Sequence, residues 1–202
     1  MKKDFNKKVL IAMSGGVDSS VAALLMVKEG YEVAGATLRL FDKKDEANKA
    51  CGSTTDQEDA KKVAETLGFP HYLLDYREDF VDKVINKFGQ IYEEGRTPNP
   101  CVECNRYIKF SKLIDLADEL GFDKIATGHY ARIEYDEEKD RYLLRKSADP
   151  RKDQTYVLYS LKQDQLSRVL FPMEGLSKNQ ARDLAEDGHL NVAHKKDSQD
   201  IC

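Results

Sequence analysis

Two short segments of this sequence have the residue types and spacing for chemistry on a phosphate and on sulfur. Ser14-Gly-Gly-Val-Asp-Ser19 follows an apolar run, and Cys101-Val-Glu-Cys104 follows two closely spaced prolines. Glycines let backbone N–H groups approach an anion closely, a following helix adds the positive end of its dipole, and serine hydroxyls donate to phosphate oxygens. The first segment therefore predicts a phosphate-binding loop, and the second predicts a pair of reactive thiols.

The loop differs from the two commonest phosphate-binding motifs. The sequence contains no G-x-x-x-x-G-K-[ST] run, and the loop does not fit G-x-G-x-x-G. Asp18 would repel a phosphate directly, so we expect it to cap the helix or to bind through Mg²⁺. An ordinary glycine turn is the alternative, and the position of the whole segment between a predicted strand and a predicted helix favours the binding loop.

The cysteine pair lies at the predicted start of a helix. A helix N-terminus and nearby cations, here Arg106 and Lys109, favour the reactive thiolate form. Half of a zinc site is the alternative, but the chain has no second C-x-x-C and no H-x₃₋₅-H to complete it. Cys202 is the other cysteine in a distinctive context, so a three-cysteine iron–sulfur site with Cys101 and Cys104 stays open.

The elements that must position these segments alternate between strand and helix. Short apolar runs predict strands at Val9–Met13, Val33–Leu40, His71–Leu74 and Lys124–Thr127. Helical spacing predicts helices at Val21–Lys28, Gln57–Leu67, Asp79–Tyr92 and Asn105–Leu120. This alternation predicts an α/β fold, in which a parallel twisted sheet has helices on both faces.

The sequence after residue 130 predicts a small hairpin followed by helices. Ala131–Tyr135 and Arg141–Arg145 flank a charged turn, which is typical of a β-hairpin. Two helices are predicted at Lys162–Leu170 and Lys178–Asp187, the second with Ser177 as its N-cap and Gly188 at its end. No linker or repeat interrupts the chain, so one domain over residues 1–202 is the simplest prediction.

Composition excludes some classes of function. The net charge of −4 argues against a globally basic nucleic-acid binder, so any RNA contact must come from local patches or from parts of the protein that are absent here. Lys195 and Lys196 are among the candidates for phosphate contacts, because they flank matched motifs. No apolar run reaches the length of a membrane span, and the charged start of the chain makes a poor signal peptide. We therefore expect a cytoplasmic protein with no membrane partner, in which cysteines are reduced.

Several motifs that occur in one order carry a family resemblance. They are Met13–Ser20, Gly95–Pro100, Cys104-Asn105, Ile108–Phe110, Ala126–Arg132, Lys152–Gln154, Lys196–Ser198 and Ile201-Cys202. With them the chain resembles the N-terminal portion of the tRNA-specific 2-thiouridylase family, which shares its first motif with the PP-loop ATP pyrophosphatases. The resemblance implies an adenine nucleotide alpha hydrolase-like PP-loop domain, and it implies that the family's central and C-terminal β-barrel domains are absent from this chain.

The resemblance also implies a role for each matched position. It implies ATP contacts at Ala12, Met13, Ser14, Gly15, Gly16, Val17, Asp18, Ser19, Leu38 and Gly128. It implies that Asn99, Pro100 and Cys101 approach the target base and that Lys152, Asp153 and Gln154 touch tRNA. Cys104 is the implied catalytic nucleophile, and Cys202 is the implied carrier of the incoming sulfur as a persulfide.

The implied reaction is that of a tRNA-uridine 2-sulfurtransferase. The C2 oxygen of the wobble uridine attacks the α-phosphate of ATP, which binds with Mg²⁺, and becomes an adenylate. The Cys202 persulfide delivers sulfur to C2, directly or as hydrosulfide released when Cys104 attacks, and the two cysteines can then close into a disulfide. The implied partners are tRNA and a persulfide-donating sulfur carrier or cysteine desulfurase.

Three alternatives stay open at the level of sequence. Many family members have Asp where this chain has Cys101, and an Asp could act as a general base where a cysteine could do so only as thiolate. The chain could be a truncated fragment that binds ATP or tRNA without turnover. It could also be another PP-loop adenylating ligase, although such an enzyme would have no use for Cys104 and Cys202. His129 is predicted equally well as a structural hydrogen-bonding residue and as a catalytic group.

Overall fold

The phosphate loop is held by a five-stranded parallel sheet in the computed structural model, which describes residues 7–41 and 53–196. The strands are β1 (Lys8–Ala12), β2 (Glu32–Arg39), β3 (His71–Asp75), β4 (Lys124–Ala126), β5 (Ala131–Asp136), β6 (Arg141–Lys146) and β7 (Val169–Leu170). The sheet has the strand order β3-β2-β1-β4-β7, and β5 and β6 form a separate antiparallel hairpin as predicted. Cys202, and with it the predicted sulfur carrier, lies outside the described residues.

The helices follow the predicted alternation. They are α1 (Val17–Lys28), α2 (Thr54–Leu67), α3 (Arg77–Phe80), α4 (Asn86–Glu93), α5 (Pro100–Glu103), α6 (Phe110–Leu120), α7 (Gln163–Arg168) and α8 (Lys178–Asp187). A π-helical segment, Val81–Ile85, joins α3 to α4, and another, Cys104–Lys109, joins α5 to α6. The predicted helix at Asn105–Leu120 is therefore part of one longer run that begins at Pro100.

Alternate residues of β1 face two separate hydrophobic clusters. Val9 and Ile11 pack with α1, α2 and α8 on one side of the sheet, while Leu10 packs with α6 and both π-helical segments on the other. All three side chains are fully buried, and complete burial stabilises the fold by about 1.5–3 kcal/mol for a side chain of this size. The predicted fold class, a parallel sheet with helices on both faces, is confirmed.

The predicted helix at Lys162–Leu170 is wrong in its last two residues. The helix ends at Arg168, and Val169 and Leu170 pair with Ile125 and Ala126 as the edge strand of the sheet. The Arg168 guanidinium holds this junction, since it donates to the carbonyl of Asp123 at 2.6 Å. Pairing with a distant strand overrides the local helical spacing here, because a β-branched residue at 3% exposure gains more from the sheet than from a helix end.

The predicted helix at Lys178–Asp187 is confirmed at both ends. The Ser177 hydroxyl accepts a hydrogen bond from the backbone N–H of Gln180, which makes Ser177 the N-cap of α8, and the helix ends before Gly188. Across residues 7–41 and 53–196, no helix is both long enough and apolar enough to cross a bilayer.

Candidate active site

The loop after β1 is shaped by hydrogen bonds between its own residues. The Ser19 hydroxyl donates to the carbonyl of Gly16 at 3.1 Å and accepts from the backbone N–H of Ser14 at 3.2 Å. Gly16 is the N-cap residue of α1. Because it has no side chain, it accepts no hydrogen bond from the first backbone N–H groups of that helix through a side chain. The loop thus places the positive end of a 12-residue helix at the carboxyl end of β1.

Gly15 is the position in this loop where only glycine fits. Its φ is +73°, and a Cβ atom there would lie 2.1 Å from the carbonyl oxygen of Asp56. The start of α2 therefore supports the loop from behind. Any side chain at Gly15 would push the loop away from this support.

A cavity of about 220 Å³ opens beside the loop, where β1 lies between β2 and β4. This is the edge at which parallel α/β sheets bind ligands, outside the carboxyl ends of their strands. The cavity brings together seven of the predicted ATP-contact residues, which are Ala12, Met13, Ser14, Asp18, Ser19, Leu38 and Gly128. Gln154, which was predicted to touch tRNA, also lines it.

The other three predicted ATP-contact residues do not line the cavity but lie next to residues that do. Gly15 packs on α2 and Gly16 is the N-cap of α1, while Val17 is 3% exposed and packs in the core with that helix. The two glycines have no side chain and the Val17 side chain is buried, so these three residues offer a ligand backbone groups only.

Asp18 does not cap α1, contrary to one of its two predicted roles. Both of its carboxylate oxygens lie 2.8 Å from the ammonium of Lys178, and the hydroxyl of Tyr130 donates to one of them at 2.8 Å. Lys178 is the first residue of α8, where a cation is disfavoured by the helix dipole, so its position is explained by Asp18. The Lys178 ammonium therefore neutralises the Asp18 carboxylate, which lines the cavity and would otherwise repel an anion there.

Gly128 allows the end of β4 to approach the start of α1. A Cβ atom at Gly128 would lie 2.6 Å from the backbone nitrogen of Ser19. The residue therefore sets the width of the cavity, while its predicted contact with a nucleotide stays a prediction.

His129 is a neutral group at the cavity wall. Its ring lies between those of Phe110 and Phe171, and its Nδ1 is 2.8 Å from the hydroxyl oxygen of Thr127. Burial, together with the nearby charge of Lys109, lowers the pKa of His129 to about 3. An imidazole that stays neutral at physiological pH is a hydrogen-bonding group, which favours the structural one of its two predicted roles.

Thr37 is a cavity residue that the sequence reasoning missed. Its hydroxyl donates to the carbonyl of Met13 at 2.7 Å and lies 2.8 Å from Nε2 of His71. Burial and the charge of Lys61 lower the pKa of His71, so the imidazole is held neutral against the hydroxyl. These bonds fix the backbone just before the phosphate loop. A polar residue inside the apolar run of β2 was the available signal.

The thiol pair begins a helix, as predicted. Asn99 is its N-cap and accepts from the backbone N–H of Val102 at 3.4 Å, and Pro100 occupies the first helical position, where its missing N–H costs nothing. Cys101 is half-buried, while Cys104 is 3% exposed and packs in the core beside Ile108. Cys104 does not line the cavity, so its predicted attack on a substrate requires the helix or its neighbours to move.

The described residues offer no set of ligands for the zinc or the iron–sulfur site that the sequence analysis left open. Residues 7–41 and 53–196 contain no group of three His, Cys, Asp or Glu side chains arranged to hold a metal ion. The iron–sulfur alternative also needs Cys202, which lies outside this part of the chain, and it stays a prediction.

The predicted tRNA segment Lys152–Gln154 is tied to the cavity wall. Gln154 and Tyr130 exchange two hydrogen bonds of 3.0 Å, one through the Gln154 side-chain oxygen. The Asp153 carboxylate accepts from the backbone N–H of Ser147 at 3.0 Å and from the hydroxyl of Thr155 at 2.6 Å. Asp153 therefore shapes the loop from within, and its predicted contact with tRNA stays a prediction.

Asn105 belongs to one of the motifs that carry the resemblance, but the sequence analysis gave it no role. It is 2% exposed, and its side-chain amide donates to the carbonyl of Val157 at 3.1 Å. Val157 ends the short 3₁₀ helix that follows Gln154. This buried bond fixes the thiol helix to the segment that lines the cavity.

Lys195 is not available as a phosphate contact, contrary to its prediction. Its ammonium donates to Asp56 at 2.7 Å, to Asp59 at 2.6 Å and to the carbonyl of Gly15 at 3.0 Å. Burial opposes its charge, but the hydrogen bonds to the two carboxylates prevail and raise the pKa of Lys195. The residue therefore fixes the phosphate loop to the chain that leads towards Cys202.

Comparison with known proteins decides the family. The sequence profile of the family described as the tRNA methyl transferase HUP domain matches residues 7–202. The chain belongs to this family. The resemblance found from the motifs is confirmed by curated relatives, which include a tRNA-specific 2-thiouridylase MnmA 2 of Thermoanaerobacter sp. (strain X514), 53% identical over 203 residues. Another is the tRNA-specific 2-thiouridylase MnmA of Clostridioides difficile (strain 630), 49% identical over 199 residues.

The matches cover this chain almost completely but only part of the relatives. Each covers 98% of the chain, and 56% and 55% of the two relatives respectively. The chain thus spans about half the length of the curated relatives that it matches. Among solved structures, a 4-thiouridine synthetase in complex with RNA and ATP has a TM-score of 0.64 at 17% identity, over 97% of this chain and 44% of that one. At this identity the similarity establishes the fold alone.

Proposed function

We propose that the protein carrying this chain is a tRNA-uridine 2-sulfurtransferase, which adenylates the C2 oxygen of a uridine with ATP and replaces that oxygen with sulfur. One observation carries the proposal: the helix that contains Cys104 also contributes Lys109 to the wall of the cavity beside the phosphate loop. One continuous helical run therefore carries both the thiol Cys104 and a residue of the cavity wall, although Cys104 itself does not line the cavity. The names of the curated 2-thiouridylases support the same reaction.

The cavity fits the adenosine end of ATP, which extends its phosphates along the loop. The side chains of Ala36, Leu38 and Leu40 form an apolar wall for a base, and the hydroxyls of Ser14 and Ser19 stand at the polar end. A volume of about 220 Å³ is smaller than the usual range for a whole drug-sized ligand, so part of the nucleotide lies outside the cavity.

Mg²⁺ is expected to enter with the phosphates of the nucleotide. Asp18 is the carboxylate that lines the cavity, and carboxylate oxygen suits Mg²⁺ as a ligand. Because Lys178 neutralises Asp18, direct coordination requires that pair to open. The metal would supply charge neutralisation for the departing pyrophosphate.

The chemistry balances with the two implied cysteines. The uridine oxygen attacks the α-phosphorus, and pyrophosphate leaves. The terminal sulfur of a Cys202 persulfide attacks C2, and AMP leaves with the former uridine oxygen. Cys104 then attacks the inner sulfur of Cys202, which forms a disulfide and releases the 2-thiouridine. A thiol reductant must reduce this disulfide before the next turnover.

Three finer assignments belong to the same proposal. The sulfur comes from a persulfide-donating carrier or a cysteine desulfurase, and the reducing cytosol keeps the thiols free between turnovers. Asn99 is exposed and Cys101 is half-buried, which suits an approach of these two side chains to the target base, whereas Pro100 between them is buried. The family description speaks of methyl transfer, but the cysteine pair at the cavity helix favours sulfur.

The test measures 2-thiouridine by mass spectrometry and AMP by chromatography, with the protein at its full natural length, tRNA, ATP and a persulfide donor. We expect one AMP for each 2-thiouridine, and a loss of thiolation of at least about a thousandfold in Cys104→Ala, as for other essential nucleophiles. Cys51→Ala is the matched control and keeps wild-type activity. Unchanged thiolation in Cys104→Ala, or ATP binding without any turnover in the wild type, would overturn the proposal.

A further inference from the structure

Lys109 is the one cation among the described residues that line the cavity. The other charged side chain in the wall is Asp18, whose charge is balanced by Lys178, and His129 is neutral. A nucleotide brings several negative charges into this space. The loop meets them with backbone dipoles, whereas Lys109 brings a full positive charge from the opposite side of the sheet.

The position of Lys109 depends on the π-helical turn that begins at Cys104. The segment Cys104–Lys109 is wider than an α-helix by one residue per turn, so it rotates α6 relative to α5. With this turn, Cys104, Ile108 and Phe110 are buried in the core while Lys109 reaches the cavity. π-Helical turns inside α-helices are frequent at functional sites, because they direct one side chain out of register.

Lys112 shows that this placement is specific. It lies three residues further along the same helix, pairs with Asp79 at 3.1 Å and stands over the ring of Tyr76, away from the cavity. The ammonium of Lys109 lies instead close enough to His129 to lower the pKa of that ring. His129 directly follows Gly128, the residue that the resemblance places beside adenosine, and Lys109, Gly128 and His129 all line the cavity together with Ser14 and Ser19 of the phosphate loop.

We infer that Lys109 binds the α-phosphate of the nucleotide and acts as a catalytic residue in adenylation. The inference deepens the proposed function and rests on it for the identity of the reaction. Of the three phosphates, the α-phosphate is nearest the nucleoside, and Lys109 shares the cavity wall with Gly128 and His129. The ammonium would stabilise the negative charge that builds on this phosphate as the uridine oxygen attacks. It would also fix the Cys104 helix to the group that becomes the leaving AMP.

Nucleotide binding separates this role from a structural one. Calorimetry on the protein at its full natural length would compare adenosine, AMP and ATP in the wild type, in Lys109→Gln and in the matched control Lys112→Gln. We expect Lys109→Gln to bind AMP and ATP about ten- to a hundredfold more weakly, which corresponds to one lost charged hydrogen bond, and to bind adenosine as the wild type does. Lys109→Arg should recover part of the loss, and Lys112→Gln should show none.

The other outcomes separate the inference from the proposed function. Equal weakening of adenosine would make Lys109 a structural residue, and weakening of ATP without AMP would place it on the outer phosphates. Unchanged AMP binding in Lys109→Gln, with active thiolation by the wild type, would overturn the inference and leave the proposed function intact. Loss of AMP binding in a protein whose wild type makes no 2-thiouridine would support the phosphate contact and overturn the proposed function.

Discussion

Lys178 holds both carboxylate oxygens of Asp18 at 2.8 Å, across 160 positions of sequence. The contact joins the first turn of α8 to the first turn of α1, and it is partly shielded, since the Lys178 side chain is only 14% exposed. Charge-assisted hydrogen bonds in such surroundings contribute more than ion pairs at an open surface. The phosphate loop thus depends on a helix near the end of the described chain.

The first prediction concerns this pair. Lys178→Gln should remove the ammonium from the partly buried Asp18 carboxylate, which keeps the hydrogen bond from the Tyr130 hydroxyl, and so lower the free energy of unfolding by about 1–3 kcal/mol. It should also weaken ATP binding, because Asp18 then repels the phosphates. Urea unfolding and calorimetry measure the two effects. The double variant with Asp18→Asn should recover most of the stability, and additive losses in that variant would show that the two side chains are not coupled.

The second prediction concerns the close support behind the loop. Gly15→Ala should cost at least about 2 kcal/mol more than Gly30→Ala in the free energy of unfolding, and should abolish measurable nucleotide binding. Both glycines have positive φ, at +73° and +83°, but a Cβ at Gly15 meets the carbonyl of Asp56 whereas Gly30 has open space around it. Equal stability losses would show that backbone strain, rather than contact with α2, makes Gly15 necessary.

Much of this arrangement can be predicted from short stretches of sequence, and the reason is physical. An apolar run, a glycine-rich turn and a helical repeat are local, so β1, the loop and α1 follow from residues 8–28. The thiol helix is also local, since Asn99 and Pro100 are typical residues for a helix start.

The remainder depends on contacts that a local pattern does not contain. The two-residue strand β7 exists only because β4 offers it a partner, and Lys195 is held by carboxylates 136 and 139 positions away. The direction of Lys109 depends on one π-helical turn, whose sequence reads like any amphipathic helix. The motif Ile108-Lys-Phe110 signalled that this residue matters, but not which way it points.

The third prediction concerns acid. Burial lowers the pKa of His129 below its ordinary value of 6.5, to about 3, so the folded protein binds this proton less readily than the unfolded chain. The contribution of the neutral His129 ring to the free energy of unfolding is therefore fully present above about pH 6.5, and it is lost progressively as the pH falls towards 3. Between pH 7 and pH 4.5, we expect the free energy of unfolding to fall by about 1–2 kcal/mol less in His129→Gln than in the wild type. This value allows for the partial exposure of the residue.

Urea unfolding at the two pH values measures this difference. His71 has a lowered pKa as well and contributes in the same direction, so a residual acid sensitivity should remain in the His129 variant. His194→Gln is the control, because that side chain is 88% exposed. A pH dependence that is identical in wild type and His129→Gln would mean that the ring takes up its proton in the folded state.

The fourth prediction concerns the attachment of the C-terminal segment to the loop. Lys195→Met should leave Asp56 and Asp59 without their shared cation at the start of α2 and release the carbonyl of Gly15. We expect a loss of about 2–3 kcal/mol in the free energy of unfolding and faster amide hydrogen exchange in residues 13–20, because the support behind Gly15 loosens. Lys196→Met is the matched control, since this neighbouring side chain is exposed. If exchange accelerates only in residues 189–196, the ammonium fixes the terminal segment alone, and the loop draws its rigidity from the backbone contact between Gly15 and Asp56.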